Sequence, residues 1–375
     1  MSGLRLRSLR ALVFRAPVAA PVTTSFGTMR DRPCVLVRAE DAEGRVGWGE
    51  IWCNFPAVGP EYRAGLVDSL FAPLVENRSF DDPAAAFHAL TAETAVLALQ
   101  CGEPGPFAQC IAGIDIALWD LAAQAADQPL WRMLGGHSPA LAVYASGLNP
   151  DDVCDLAVAC QAAGHRAFKL KLGFGAARDI AGLQALRTIL GPEATLMADV
   201  NQGWTLTEAL DMAPALDRFG LDWLEEPLRA DRPWSEWQAL AARVPARLAA
   251  GENIAGETNF HAAIDSGTLG VVQPDVGKWG GFTGTLPVAK RILSAGLRYC
   301  PHWLGGGIGL LASAHLLAAV GGDGLLEIDA NPNPLRTALA GPLDRVADGR
   351  AALTEAPGLG TSPDLDALQP YRVQH

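Results

Sequence analysis

The sequence predicts an α/β fold: a TIM-type barrel of eight strands with covering helices, preceded by an N-terminal α+β domain. Short apolar runs recur through the C-terminal two thirds at roughly 23 to 28 residues, about the length of a strand and its covering helix. Each run ends in an ionisable residue, and the successive ends are Lys171, Asp199, Glu225, Glu252, Asp275, His302 and Glu327. The first third reads differently, as a strand meander followed by helices. An open doubly wound sheet would use the same local pattern, but a chemical residue at nearly every strand end suits a closed ring better.

Residues 4–10 alternate apolar and basic, as a strand does. A second strand, 35–39, runs toward a glycine-containing turn, and 47–51 returns from it. Residues 62–74, 83–99 and 108–126 are helical by composition and spacing, the last with apolar Ile111, Ile114, Leu118 and Leu121 on one face. The helical run closes at Gly135-Gly136, which places a domain boundary near residue 136. The expected division is a capping domain over 1–136, a barrel over 137–340 and a tail over 341–375 that packs back toward the cap. Barrel strands are expected at 141–147, 166–172, 195–200, 221–225, 247–252, 270–275, 297–302 and 325–328, with helices such as 176–190 and 207–219 between them.

With 375 residues, 49% of them hydrophobic and 19% charged, the chain has enough apolar material for a large packed core and is not a disordered one. A formal net charge of -12 repels phosphate backbones and anionic lipid heads, so nucleic acid is not an expected partner. No stretch reads as a membrane span of about 18 or more apolar residues, and Arg15 interrupts the basic start before a leader could form. The seven cysteines are odd in number, scattered and free of any Cys-x-x-Cys pair, which fits a reducing, cytoplasmic setting.

Ionisable groups gathered at one barrel mouth cost too much to serve stability alone and mark a metal-dependent active site. Asp199, Glu225 and Glu252 end three successive strands, and neighbouring strands lie only about 4.8 Å apart. Their carboxylates can share one hard, oxygen-preferring cation, which suits Mg2+. Glu226 follows Glu225 directly, so strand alternation turns only one of the two toward the metal. Lys169 and Lys171, two apart, point to the same side. Like-charge repulsion and burial there are expected to lower the Lys171 pKa, leaving an amine able to take a proton near neutral pH. Asp275 is placed to hold one ring nitrogen of His302 and leave the other facing the cleft. Glu327, desolvated beside other carboxylates, is expected to be protonated and to donate to a developing oxyanion. Asp329 points the same way by alternation. The glycines after the seventh strand supply neither a dinucleotide fingerprint nor a Walker lysine, so nucleotide binding is not supported.

These motifs together resemble the enolase superfamily, and within it the mandelate racemase subgroup. The resemblance covers nearly the whole chain, implies a modified (β/α)7β TIM-type barrel with an N-terminal α+β capping domain, and rests on Lys169-Leu170-Lys171, Asp199-Val200-Asn201, Glu225-Glu226-Pro227, Gly251-Glu252-Asn253, Asp275 through Gly281, His302 and Glu327. It implies Asp199, Glu225 and Glu252 as Mg2+ ligands, and Lys171 and His302 as acid/base groups on opposite faces of a small-molecule carboxylate. It further implies Asp275 as the partner of His302, Glu327 as a donor to the enolate, Lys169 as a modulator of Lys171, and Asn201 and Lys278 as supporting polar groups. Related lactonising and epimerising enzymes carry a lysine where Asp275 stands, and this chain departs from those. Homo-oligomerisation is also implied.

The family chemistry is removal of the proton α to a carboxylate, and the handling of such a proton by Lys or His beside Mg2+ is a general pattern of the superfamily. The expected reaction is dehydration of a hydroxy acid, of the sugar-acid kind. A racemase or epimerase, or a lactone cycloisomerase, would use the same first step, and a non-catalytic acid-binding barrel is the remote alternative. Substrate choice is assigned to two capping loops, 22–32 and 52–62, which carry Phe26, Met29, Trp52 and Phe55 beside Arg30 and Asn54.

Overall fold

The computed structural model describes residues 3–24, 27–149 and 153–375. Phe26, assigned above to the first capping loop, lies outside the described residues. Two long antiparallel strands, β1 (Leu4–Thr24) and β2 (Gly27–Asp41), form a hairpin, and β3 (Val46–Ile51) adds to β2. A short strand, β4 (Ser79–Phe80), pairs with the start of β1.

The helix Pro104–Ala125 lies on this sheet because its apolar positions, Ile111, Ile114, Leu118 and Leu121, recur at helical spacing and bury against Val35, Val37 and Ile51. Close approach is possible because Gly49 has no side chain: a Cβ there would sit 1.9 Å from the Gly113 carbonyl.

Eight parallel strands then follow: β5 (Ala140–Leu148), β6 (Ala167–Lys171), β7 (Thr195–Asp199), β8 (Trp223–Glu225), β9 (Arg247–Ala250), β10 (Leu269–Val272), β11 (Arg298–Tyr299) and β12 (Leu325–Asp329). They pair in the order β11-β10-β9-β8-β7-β6-β5-β12, which makes a nearly closed barrel with the two-residue β11 beside the remaining gap. The expected fold class holds. Helices cover the barrel outside; the one over Leu206–Asp217 starts from a capping box between Thr205 and Glu208. The helix Gly307–Val320 is buried on nearly every side because it is enclosed by both the barrel and the cap. Past residue 340, β13 (Arg350–Ala352) pairs with β5, and β14 (Arg372–Val373) pairs with β1.

One expectation needs correction. Two helices, Pro83–Cys101 and Pro104–Ala125, are long and apolar enough to cross a membrane by length and composition. The second owes its apolarity to tertiary packing, since it is the core helix of the cap. The first buries Ala86, Leu90 and Ala98 and leaves Val96 and Leu99 exposed. All seven cysteines are free thiols.

Buried polar groups fasten cap to barrel. Arg32 on β2 pairs with Asp329 at the end of β12, both almost wholly buried. Asp115 on the long cap helix accepts from the Thr283 backbone N–H at 3.0 Å and its hydroxyl at 2.6 Å. Burial pushes the Asp115 pKa from the usual 3.8 up to about 7, although the Thr283 bonds pull the other way. A folded-state pKa above the unfolded one adds stability that is complete below the unfolded pKa and lost as pH rises through the folded one. The melting-temperature advantage of the native protein over Asp115→Asn is therefore expected to be larger near pH ~5 than near pH ~8. Equal gaps at both pH values would rule this out.

Candidate active site

The barrel interior is built in layers, and strand alternation explains which residues reach the mouth. Tyr144, Ala167, Met197, Trp223, Ala249, Val271 and Cys300 form one buried apolar layer, with Leu325 packed against it. Two residues further along each strand stand Ser146, Lys169, Asp199, Glu225, Gly251, Gln273, His302 and Glu327. Another two on come Lys171, Asp275 and Asp329. The sequence-predicted residues thus come to one mouth, with Glu252 set just beyond Gly251.

On the lysine side, the Lys169 ammonium donates to Glu225 Oε1 at 2.6 Å and lies 2.9 Å from Glu327 Oε1. Lys171 Nζ lies 2.5 Å from Asp199 Oδ2, and Asn201 donates to both oxygens of that carboxylate. The Lys171 pKa is raised, contrary to the expectation of a lowered one. Burial does press it down and Lys169 adds repulsion, but the nearby carboxylates, Asp199 first, outweigh both. Burial likewise pushes Asp199 up, yet the two lysines hold it below the usual carboxylate range.

On the opposite side, His302 Nδ1 lies 2.7 Å from Asp275 Oδ2, the pairing that the sequence suggested. Asp275 is itself fixed by the Gly277 and Lys278 backbone N–H groups through Oδ1. The other ring nitrogen, Nε2, contacts Glu252 and lies 3.9 Å from Glu327 Oε2. Burial disfavours the imidazolium, but Glu252, Glu327 and Asp275 together raise the His302 pKa well above its usual value. Glu327 also departs from expectation. Burial would protonate it, but Lys169 and His302 hold it below the usual range, so it is an acceptor rather than a donor. It accepts from the Ser146 hydroxyl and, at 3.1 Å, from the Trp303 N–H.

The carboxylates proposed as metal ligands are each turned to a different cation or donor. Glu225 Oε2 accepts from Gln273 at 2.6 Å and Trp223 Nε1 at 3.1 Å, while Glu252 shares Asn253 with Glu226. Among the described residues no three His, Cys, Asp or Glu side chains stand as a ready-made metal cluster. The donor set nevertheless fits a hard divalent ion. Buried Asp199, Glu225, Glu226, Glu252, Asp275 and Glu327 outnumber Lys169, Lys171, Lys278 and His302, so negative charge is in surplus. Burial first, with neighbouring carboxylates adding to it, takes Glu225 up to about 7 and Glu226 well above its usual value.

Sequence reasoning set Glu226 aside and passed over Asn253, Gln273, Arg32 and Glu50. Glu226 takes a positive φ of 38°, which breaks the alternation used to exclude it. Glu50 stands next to the end of a short apolar strand, close to the signal that marked the barrel acids; Arg32 carried no local signal, because its partner is 297 residues away. The capping loops do reach the mouth. Val22, Thr23 and Thr24 line a cavity with Ser146, Lys171 and His302. The Lys278 ammonium sits 4.5 Å from the centre of the Trp52 ring, and Asn54 donates to the Leu304 carbonyl at 2.6 Å. Arg30 is exposed.

Comparison with known proteins gives the family. Residues 8–135 match the mandelate racemase/muconate lactonizing enzyme N-terminal domain, and residues 152–367 match the enolase C-terminal domain-like family. A mandelate racemase/muconate lactonizing enzyme from Bordetella bronchiseptica RB50 superposes with a TM-score of 0.94 at 55% identity, covering 99% of this chain and 100% of that one. A racemase from Streptomyces coelicolor A3(2) with bound magnesium superposes with a TM-score of 0.89 at 29% identity, covering 98% and 100%. D-galactarolactone cycloisomerase of Agrobacterium fabrum is 30% identical over 99% of both chains. Other relatives of this chain include a cycloisomerase, a dehydratase and a racemase. With both domain models matched in order and the barrel mouth equipped as described, the chain belongs to the mandelate racemase/muconate lactonizing enzyme family of the enolase superfamily.

Proposed function

We propose that this enzyme removes the proton α to the carboxylate of a hydroxy acid, of the sugar-acid kind, and that the enolate then loses its β-hydroxyl as water. The observation that carries this reading is the two-sided mouth, with Lys171 and His302, the latter held by Asp275, lining one cavity beside Glu327. Asp199, Glu225 and Glu252 would hold Mg2+, with Glu226 close at hand. When bound, that ion would polarise the substrate carboxylate as a Lewis acid and offset the surplus negative charge.

This chain's own groups supply the proton transfers. One of Lys171 Nζ and His302 Nε2 takes the α-proton, and the other serves the departing hydroxyl from the opposite face. Asp275 holds the ring of His302 at Nδ1 and supports its positive charge. Glu327 fixes Lys169 and the loop after His302 through its two oxygens. A second reading, isomerisation of a lactone, is favoured by the full-length similarity to D-galactarolactone cycloisomerase. The test is a panel of hydroxy acids and lactones incubated in D2O with Mg2+ and followed by NMR and mass. Loss of one water with α-deuteration of the recovered acid supports dehydration. An isomer of unchanged composition supports the second reading, and no α-exchange across the panel counts against both.

A further inference from the structure

The loop that carries His302 leaves β11 and ends at Gly306, where the helix Gly307–Val320 begins. Barrel groups hold part of it: Glu327 accepts from the Trp303 N–H, and the Asn333 side chain donates to the Gly305 carbonyl at 2.9 Å. The rest is held by the cap. Asn54 donates to the Leu304 carbonyl, and the fully buried Glu50 carboxylate accepts from the Gly306 N–H at 2.5 Å and the Gly309 N–H at 2.9 Å. A Cβ on Gly306 would stand 2.7 Å from Glu50 Oε1, so the glycine leaves room for the acid.

The loop after β10, which carries Asp275, is treated the same way. It ends at Gly280, and the first turn of the helix Gly281–Ser294 meets cap residue Asp115, whose carboxylate takes the Thr283 N–H and hydroxyl. A Cβ on Gly281 would meet that carboxylate at 2.3 Å. Both helices lack a side-chain cap of their own, so a carboxylate from another unit answers their free N–H groups and positive ends.

We infer that Glu50 and Asp115 are positioning residues through which the cap sets the geometry of the His302–Asp275 pair. The inference rests on the acid/base reading of that pair. Neither carboxylate touches the reacting atoms. Each fixes the helix start at the end of a loop, and the two loops meet in the 2.7 Å bond between His302 and Asp275. Cap and barrel thereby share one adjustable part of the site, while Lys171, Asp199 and Glu225 stand on strands that the barrel holds by itself.

Hydrogen–deuterium exchange on the full chain tests this without a substrate. Glu50→Gln keeps the shape and one acceptor oxygen, so it is chosen over a truncation that would leave the Gly306 and Gly309 N–H groups without this acceptor. It is expected to speed amide exchange in residues 302–309 by about tenfold or more while β6, β7 and β8 keep native protection. Asp115→Asn is expected to do the same for residues 276–285. Native exchange in those loops, or an equal rise throughout the barrel, would overturn the inference, since the first means no hold and the second only global destabilisation. With any substrate the native enzyme turns over, kcat should fall while KM stays within about twofold. If the loops loosen as expected but His302→Asn keeps both native turnover and α-exchange, the positioning stands and the acid/base reading falls.

Discussion

Lys171→Ala and His302→Asn are each expected to lower net turnover roughly a thousandfold, within the range for loss of a positioned acid or base. The two should differ in exchange of the α-proton with solvent deuterium. Without the group that removes this proton no enolate forms, so that variant loses exchange and turnover together. The variant lacking the other group can still form the enolate and return it to substrate, so it retains exchange while losing product. Asp275→Asn should resemble a weakened His302→Asn, because it removes the charge held 2.7 Å from Nδ1. NMR of substrate in D2O with each folded, Mg2+-loaded variant reads all three. Native turnover and exchange in both single variants would eliminate the opposed acid/base mechanism.

Asp199→Asn and Glu252→Gln are each expected to abolish measurable turnover, since a carboxylate-bound divalent ion is worth several kcal/mol of transition-state charge stabilisation, on the order of a thousandfold or more in rate. The same loss is expected for the native enzyme after EDTA, with recovery on adding Mg2+. Calorimetric titration with Mg2+ should show weakened binding in both variants. Asp199 also holds Lys171 at 2.5 Å and Glu252 contacts His302 Nε2, so each variant also touches an acid/base group, and the Mg2+ titration is the reading that isolates the metal. Full activity in a chelated enzyme would sink the Mg2+ assignment.

Much of the site was legible because a strand has period two. Once the apolar runs are placed, Lys169, Asp199, Glu225, His302 and Glu327 must share the inward face two residues above the packed layer. The same regularity misled at Glu226, whose positive φ puts it outside the strand and beside Asn253. The long cap helices were legible as helices, but their membrane-like apolarity is explained only for Pro104–Ala125, by the sheet on which it lies.

The sequence by itself determined the barrel, its cap and the roster of charges at the mouth, because strand spacing and side-chain alternation are local properties of the chain. Tertiary structure decided the protonation of those charges. Lys171 and Glu327 reverse their expected shifts because several opposite charges and donors together outweigh burial, and their distances are absent from any linear pattern. Tertiary structure also decided what the cap contributes. Arg32 meets Asp329 across 297 residues and Glu50 meets Gly306 across 256, contacts that exist only where cap and barrel close on each other and exclude water from the groups between them.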